Sequence, residues 1–344
     1  MRVGIDGRSL AGGGRGVAHY LEGMLAALDP SVEARVLLPR GARLTSAPAN
    51  VTAVRHRAPS RALYGAAAVA GWPRLDRLLG AVDVVWLPAP APVAVGRTPY
   101  ALTLHDLSFV ERPGDFTRYE RAWHRLARVG PLARRAARVL AVSGATAAAA
   151  RARLGLAADR VLVVPAGPGD PGPTVAQETR YGRYFLFVGA LEPRKALDRL
   201  VAAHDGLDAA LVIAGEGRVR VHGRGVHVLG RVTREQKAAL YAGALAVVLP
   251  SWCEGYGYPP LEGYAHGTPA IVSDLPALRE TAGAGALYVP PGDVAALRAA
   301  LRELSGDDAL RRRLAAGGAA ALRDRTGEES ARALCAALEE AAGG

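Results

Sequence analysis

The chain is poor in the residues on which metal, redox and membrane proteins are built. Two cysteines among 344 residues, Cys253 and Cys335, fit no metal-ligand spacing, and a disulfide framework needs more. Free thiols in a reducing compartment are expected. No apolar run reaches the roughly 18 residues of a membrane-spanning helix. The first strand already begins at Arg2, so no signal peptide is expected and the expected location is cytoplasmic. Asp-x-Asp is absent, and the adjacent acids Asp307 and Asp308 fall between late helices. A carboxylate pair for a hard divalent cation is therefore missing, and no metal is expected. Lysine is scarce as well: of 43 basic residues only Lys195 and Lys237 are not arginine.

The net charge of +11 raises the question of an anionic partner. With arginine spread through an alanine-rich chain, the excess reads mainly as compositional bias on solvated faces, and no nucleic-acid-binding motif accompanies it. The exception is Arg112 to Arg138. There Arg118, Arg121, Arg125, Arg128, Arg134, Arg135 and Arg138 crowd a helical region with Tyr119 and Trp123 interleaved, a pattern able to rest peripherally on an anionic membrane surface.

What is present is an alternation of short apolar strands with helices. Strands are expected at Arg2 to Asp6, 35–38, 51–54, 82–87, 100–104, 138–142 and 161–164, then at 184–188, 209–214, 226–229, 244–249, 270–272 and 286–289. Such an order implies α/β folding with parallel sheets. A chain of this length accommodates two domains, each burying roughly 70% of its unfolded surface. The segment Ala166-Gly-Pro-Gly-Asp-Pro-Gly-Pro holds too much proline and glycine for an element, so the boundaries are placed at 1–168 and 180–326, with a last helix, 327–344, returning to the first domain. Helices are expected at Val17 to Leu28, within Arg61 to Leu79, from Ser143 as N-cap to Gly155 as stop, and after a Thr233/Gln236 capping box.

The stretch Leu249-Pro-Ser-Trp-Cys-Glu254-Gly-Tyr-Gly-Tyr-Pro-Pro-Leu-Glu262-Gly follows one of these buried strands. Its glycines permit close backbone approach to a ligand, and Pro259 and Pro260 suit a helix's first turn. A strand, glycine loop and helix N-terminus favour anions. Glu254 and Glu262 can then face a ligand at the strand's carboxyl end; equally, Glu262 complements the helix dipole while Glu254 is solvated. Arg194 and Lys195 read as the first turn of another helix, the worse end for positive charge, which a bound diphosphate would offset.

Glu254-Gly-Tyr-Gly-Tyr-Pro-Pro-Leu-Glu262 resembles the E-x7-E signature of the retaining GT-B glycosyltransferases of family 4, with Tyr256 where Phe is usual. Further likenesses follow in the family's order: Gly12-Gly-Gly-Arg-Gly16, Thr103-Leu-His105-Asp106, Ser143, Glu192-Pro-Arg194-Lys195 and Glu216. The resemblance implies GT-B architecture, two Rossmann-like domains facing a cleft, and transfer of a hexosyl or deoxyhexosyl group from a nucleoside-diphosphate sugar to an acceptor hydroxyl without a cofactor. It further implies that Glu254 contacts the donor sugar and Glu262 the ribose, and that Arg194 and Lys195 hold the diphosphate, although Ala196 replaces the Asn often found next. Gly255, Tyr256 and Gly257 would line the donor, with Glu216 near the nucleotide unless it is merely a turn carboxylate. Gly13, Gly14 and Arg15 would lie near the donor phosphates and the acceptor. His105 would touch the donor sugar or its phosphate. Asp106 would orient that imidazole or accept an acceptor hydroxyl, while capping alone explains Ser143. The rival readings are a nucleotide-sugar epimerase, which lacks E-x7-E, a phosphorylase, whose pyridoxal lysine Lys237 on a surface helix does not supply, and a noncatalytic sugar-nucleotide-binding partner.

Overall fold

A computed structural model describes residues 1–12, 16–44, 48–173 and 180–343. The segment expected to hold Gly13, Gly14 and Arg15 lies outside the described residues. The chain divides into two compact units, one comprising Met1–Gly167 with Gly327–Gly344 and the other Pro168–Thr326.

The first unit is built on β1 (Arg2–Asp6), β2 (Glu33–Arg40), β3 (Val51–Pro59), β4 (Val84–Leu87), β5 (Tyr100–Leu104), β6 (Arg138–Ala141) and β7 (Val161–Val163). They form one sheet in the order β3-β2-β1-β4-β5-β6-β7, all neighbours parallel. Central parallel strands are covered on both faces and read as continuous apolar runs; in β4 and β5 every residue is buried. The polar atoms enclosed with them are satisfied, since Trp86 Nε1 donates to Thr103 Oγ1 at 2.9 Å. The last helix, Gly327–Gly343, packs on β4, β5 and β6 through Leu334, Ala337, Leu338 and Ala341.

The second unit holds β8 (Tyr184–Val188), β9 (Ala210–Ala214), β10 (Val226–Gly230), β11 (Ala246–Leu249), β12 (Ala270–Ser273) and β13 (Ala286–Val289). Their order is β10-β9-β8-β11-β12-β13, again parallel throughout. Each sheet reverses its winding once, between β1 and β4 in the first unit and between β8 and β11 in the second. Loops leaving the carboxyl ends on either side of such a point diverge and leave a crevice, where open α/β sheets bind ligands.

Capping follows the side chains present. Ser143 accepts from the Thr146 N–H at 3.1 Å, and Thr233 with Gln236 closes its capping box. Two helical readings depart from expectation, while the helix-prone segment is helical as expected. The Arg61 to Leu79 segment is two helices, Ser60–Ala70 and Leu75–Leu79; Gly71 stops the first in a left-handed conformation (φ 63°) and Pro73 lacks the N–H to continue it. The basic helix is also two, Arg118–Ala127 and Val129–Arg135, separated by Arg128 at φ 47°. Pro131 forces this break, because its ring would strike the carbonyl four residues back in a continuous helix. Finally, Arg194 and Lys195 do not open a helix: they lie in a short 3₁₀ turn, Pro193–Lys195, and the helix begins only at Leu197. Ala196 between them is left-handed (φ 50°), a conformation that costs a non-glycine residue roughly 1–2 kcal/mol and that Asn tolerates better.

Candidate functional site

At the reversal point of the second sheet, the loops after β8 and β11 are tied together. The Trp252 N–H donates to the Arg194 carbonyl at 2.8 Å, which brings the Ser251–Glu254 loop over the Glu192–Lys195 turn. Lys195 Nζ meets Glu254 Oε1 at 2.5 Å, Ser251 Oγ donates to the same oxygen at 2.7 Å, and Arg194 Nη1 lies 3.7 Å from Oε2. Arg194 also pairs with Glu192 at 2.9 Å. The Glu254 side chain retains only 8% exposure. Burial pushes its pKa up, but Lys195 and then Arg194 more than offset this and hold the carboxyl below its usual range. The charge expected to need a bound diphosphate thus has a counter-charge of its own. With the pair outside a helix, the helix dipole is no longer the term that sets its cost.

Glu262 is held elsewhere. It lies in the second turn of the helix Tyr258–Tyr264 and accepts from Lys237 Nζ at 2.9 Å, from Tyr241 Oη at 2.7 Å and from the Asp170 N–H at 3.2 Å. Lys237 also donates to the Asp170 carbonyl at 2.6 Å, and Arg234 grips the Asp170 carboxylate through Nε and Nη2. The helix bearing Lys237 is therefore not a free surface helix: its lysine is mostly buried and fixes the incoming segment to this unit. Burial and the adjacent Glu262 carboxylate both drive the Tyr241 phenol well above its ordinary pKa, so it remains a donor.

Gly257, at φ 97°, is required by packing, since a Cβ there would approach Leu278 Cδ2 to 2.5 Å. Gly255 and Tyr256 are buried beside it, the Tyr256 carbonyl accepting from Thr281 Oγ1. Glu216, after β9, is 60% exposed and pairs with Arg231 at 3.5 Å.

In the first unit, His105 follows β5 and its Nε2 lies 2.8 Å from the Pro88 carbonyl, after β4. A carbonyl only accepts, so Nε2 carries the proton. The ring packs edge-on against Tyr20, centroids 4.8 Å apart. Desolvation lowers its pKa despite the Pro88 carbonyl and Asp106, so the imidazole is neutral and Nδ1 is its lone-pair face. It is the Pro88 carbonyl that orients the ring. Asp106 Oδ1 accepts from the Ser108 N–H at 2.9 Å and from Ser108 Oγ at 2.5 Å, fixing the next turn.

Several site residues escaped sequence reasoning. Ser251, three positions before Glu254, and Lys237, the chain's other lysine, carried the only signals available. Arg8, two residues past the end of β1, also borders a crevice: its Nη2 donates to the Pro90 carbonyl at 3.2 Å, its guanidinium carbon lies 4.7 Å from the Tyr64 ring centroid and 5.6 Å from that of Trp123, and Asp6 Oδ2 is 3.8 Å away.

Residues 12–167 match the family model described as Glycosyltransferase Family 4, and residues 182–307 that of Glycosyl transferases group 1. The chain belongs to glycosyltransferase family 4. It has the GT-B architecture, with the two parallel-sheet α/β domains described above. A phosphatidyl-myo-inositol mannosyltransferase of Mycobacterium leprae is 37% identical over 167 residues, 44% of this chain and 45% of that protein; the chain thus matches less than half the length of this curated relative. Among solved structures, sucrose-phosphate synthase of Thermosynechococcus elongatus superposes with a TM-score of 0.73 at 18% identity, covering 98% of both chains. HepE of Anabaena, solved with UDP-glucose, gives 0.69 at 17% identity over 98% of this chain and 99% of its own. No helix among the described residues is long and apolar enough to cross a membrane.

Proposed function

We propose that this glycosyltransferase takes a hexosyl or deoxyhexosyl group from a nucleoside-diphosphate sugar and transfers it to an acceptor hydroxyl with retention of anomeric configuration and without a divalent metal. The observation that carries this reading is the buried Glu254 carboxylate wedged against Lys195, Arg194 and Ser251 at the second sheet's reversal point. That a neighbour of the same fold holds UDP-glucose supports it.

The chemistry follows from the charges. Lys195 gives one ammonium proton to Glu254, which leaves two for diphosphate oxygens, and Arg194 adds a second fixed positive charge beside it. As the bond from C1 to the phosphate oxygen breaks, that oxygen gains negative charge. Cations already fixed in place stabilise this state more than the ground state. The acceptor hydroxyl bonds C1 on the face that the leaving group vacates, and its proton passes to the departing phosphate. No enzyme nucleophile is required. Glu254 keeps the ammonium in position and offers its less engaged Oε2 to a sugar hydroxyl. Glu262 donor contact, through whichever lone pair Lys237, Tyr241 and Asp170 leave open, is part of the same reading. His105, neutral with Nδ1 as acceptor, suits a sugar hydroxyl and not a phosphate oxygen, which has no proton to give. Glu216, near the neighbouring strand end, lies on the nucleotide side.

The experiment is nucleoside diphosphate release from a panel of sugar nucleotides in excess EDTA, with the product anomer read by NMR. Turnover with a retained anomer is expected. Inversion, or activity restored only by Mg²⁺ or Mn²⁺, overturns the corresponding part.

A peripheral membrane contact, as a lipid-linked acceptor would require, is proposed on a separate observation. Val69 and Trp72 are 85% and 64% exposed, Tyr119 is 60% exposed, and Arg61 stacks over the Tyr119 ring at 5.8 Å, which joins the helices Ser60–Ala70 and Arg118–Ala127 through a basic and an aromatic side chain.

A further inference from the structure

Arg8 is held in a way that its contacts within the protein do not account for. Its side chain is 14% exposed, yet among the described residues the guanidinium makes one hydrogen bond, to the Pro90 carbonyl. Its ion pair with Asp6 is long, 3.8 Å. Asp6 takes the Arg8 backbone N–H at 3.0 Å and the Tyr64 hydroxyl on Oδ1, so Oδ2 faces Arg8 only across that long pair and gives its guanidinium no hydrogen bond. Arg8 Nη1 is buried with no hydrogen-bond partner among the described residues. Burying a charged donor unpaired is costly, so such a group marks strain, an enclosed water or a ligand.

Position and shape favour the ligand. The Arg8 side chain bridges the loops after β1 and β4, the two strands at which the first sheet reverses, where the crevice of an open α/β sheet lies. Tyr64 and Trp123 sit within cation–π distance of the guanidinium, so its direction is fixed and its edge is what remains to be used. A rigid planar fork of donors matches the paired oxygens of an oxyanion. Ser9 Oγ and Ser60 Oγ, just past the carboxyl ends of β1 and β3, are likewise buried without partners among the described residues.

We propose that Arg8 is an acceptor-specificity residue, binding an oxyanion, phosphate or carboxylate, carried by the sugar acceptor. This rests on the proposed transfer reaction and on the resemblance, which puts Asp106 of the same unit on the acceptor side. It predicts that the physiological acceptor is acidic, so that the reaction supplying it is one that installs a phosphate or oxidises a sugar to a uronate.

The test is ligand-observed NMR titration of glucose, glucose 6-phosphate and glucuronate into the full chain as wild type, Arg8→Gln, Arg8→Lys and the double variant Arg194→Ala/Lys195→Ala. The wild type should bind at least one acidic sugar about tenfold more tightly than glucose, as a charge-assisted pair warrants, and the stronger of the two identifies phosphate or carboxylate. Arg8→Gln should erase this preference, and Arg8→Lys, which keeps the charge but not the fork, should retain only part of it. The Arg194→Ala/Lys195→Ala variant should keep it. Equal binding of all three sugars by the wild type overturns the proposal whether or not the variants fold. So does a preference lost in Arg194→Ala/Lys195→Ala but kept in Arg8→Gln, which would place the anion at the diphosphate cations. The panel contains no nucleotide, so its failure is separate from that of the donor reading, which nucleoside diphosphate release tests alone.

Discussion

Replacing Lys195 by Met keeps most of the aliphatic stem and deletes the ammonium 2.5 Å from Glu254. Removing one partner of a buried ion pair costs about 3–5 kcal/mol when the remaining charge is left alone. Here Glu254 keeps the Ser251 hydroxyl and has Arg194 at 3.7 Å, itself shared with Glu192, so a smaller cost, about 2–3 kcal/mol, is expected. For a unit of this size each kcal/mol displaces Tm by about 2–4 °C, giving a fall of roughly 4–12 °C at pH 7. The pH dependence identifies the cause. In the wild type the Glu254 pKa is lowered, so its ionisation contributes stability above the unfolded carboxylate pKa of about 4.3, and that contribution is lost as pH falls through the folded value. Without Lys195 the chief charge lowering that pKa is gone while burial still raises it. Protonation then relieves the variant, and its deficit relative to wild type should shrink as pH falls from 7 towards 4.5. Lys195→Arg should recover much of the stability, and Glu254→Gln/Lys195→Met should be less destabilised than the sum of its single variants, since residues in contact couple by about 0.5–3 kcal/mol. Differential scanning fluorimetry at several pH values suffices. A Lys195→Met protein within about 0.5 kcal/mol of wild type and parallel to it in pH would refute the buried pair, and with it the argument that Glu254 holds the ammonium for the diphosphate. Activity should fall on the order of 100-fold, the cost of losing one fixed group facing a developing oxyanion.

Glu254→Gln should cripple turnover while leaving nucleoside diphosphate binding largely intact, whereas Glu262→Gln should weaken nucleotide binding and also lower Tm, because Lys237 and Tyr241 lose a carboxylate; wild-type kinetics in both would discredit the assignment. His105 has a depressed pKa, so its neutral form adds stability that is full above about pH 6.5 and is lost as pH falls from there through the lower folded value; kcat should fall through that folded value as Nδ1 becomes a donor, and His105→Ala should abolish that limb, which a pH–rate profile would reveal. Vesicle flotation should show binding to anionic but not neutral vesicles that weakens with salt and is lost when Arg121, Arg125 and Arg128 become Gln; no binding by the wild type would end the membrane proposal.

Local pattern carried a large part of this molecule. Apolar runs such as Val84 to Leu87 and Ala246 to Leu249 are strands because a parallel sheet is buried on both faces, and Ser143, Thr233 with Gln236, and Gly155 mark helix ends because their side chains, or the absence of one, satisfy or release backbone groups within a few residues. The alternation of these elements implied parallel α/β folding, and loops at strand carboxyl ends pointed to Glu254, His105 and the Arg194-Lys195 pair as site candidates. Where local pattern misled, the cause was also local but subtler: Pro131 broke a helix that charge spacing alone would have continued, and Ala196 turned left-handed before the helix that Lys195 was expected to open.

Only the tertiary structure decided who meets whom. Lys195 and Glu254 are 59 positions apart, Lys237 and Glu262 25, and Asp170 and Glu262 92. No periodicity encodes such pairings; they exist because β8 and β11 become neighbours and because the segment after Gly167 crosses two helices. The same holds for charge state and tautomer, which depend on burial and on a particular carbonyl, as with His105 and Pro88. Arg8 shows the difference most plainly. In the sequence it is one arginine among many, and it becomes distinct only when Tyr64, Trp123 and Pro90, brought from three other parts of the chain, leave one of its nitrogens buried with no partner among the described residues.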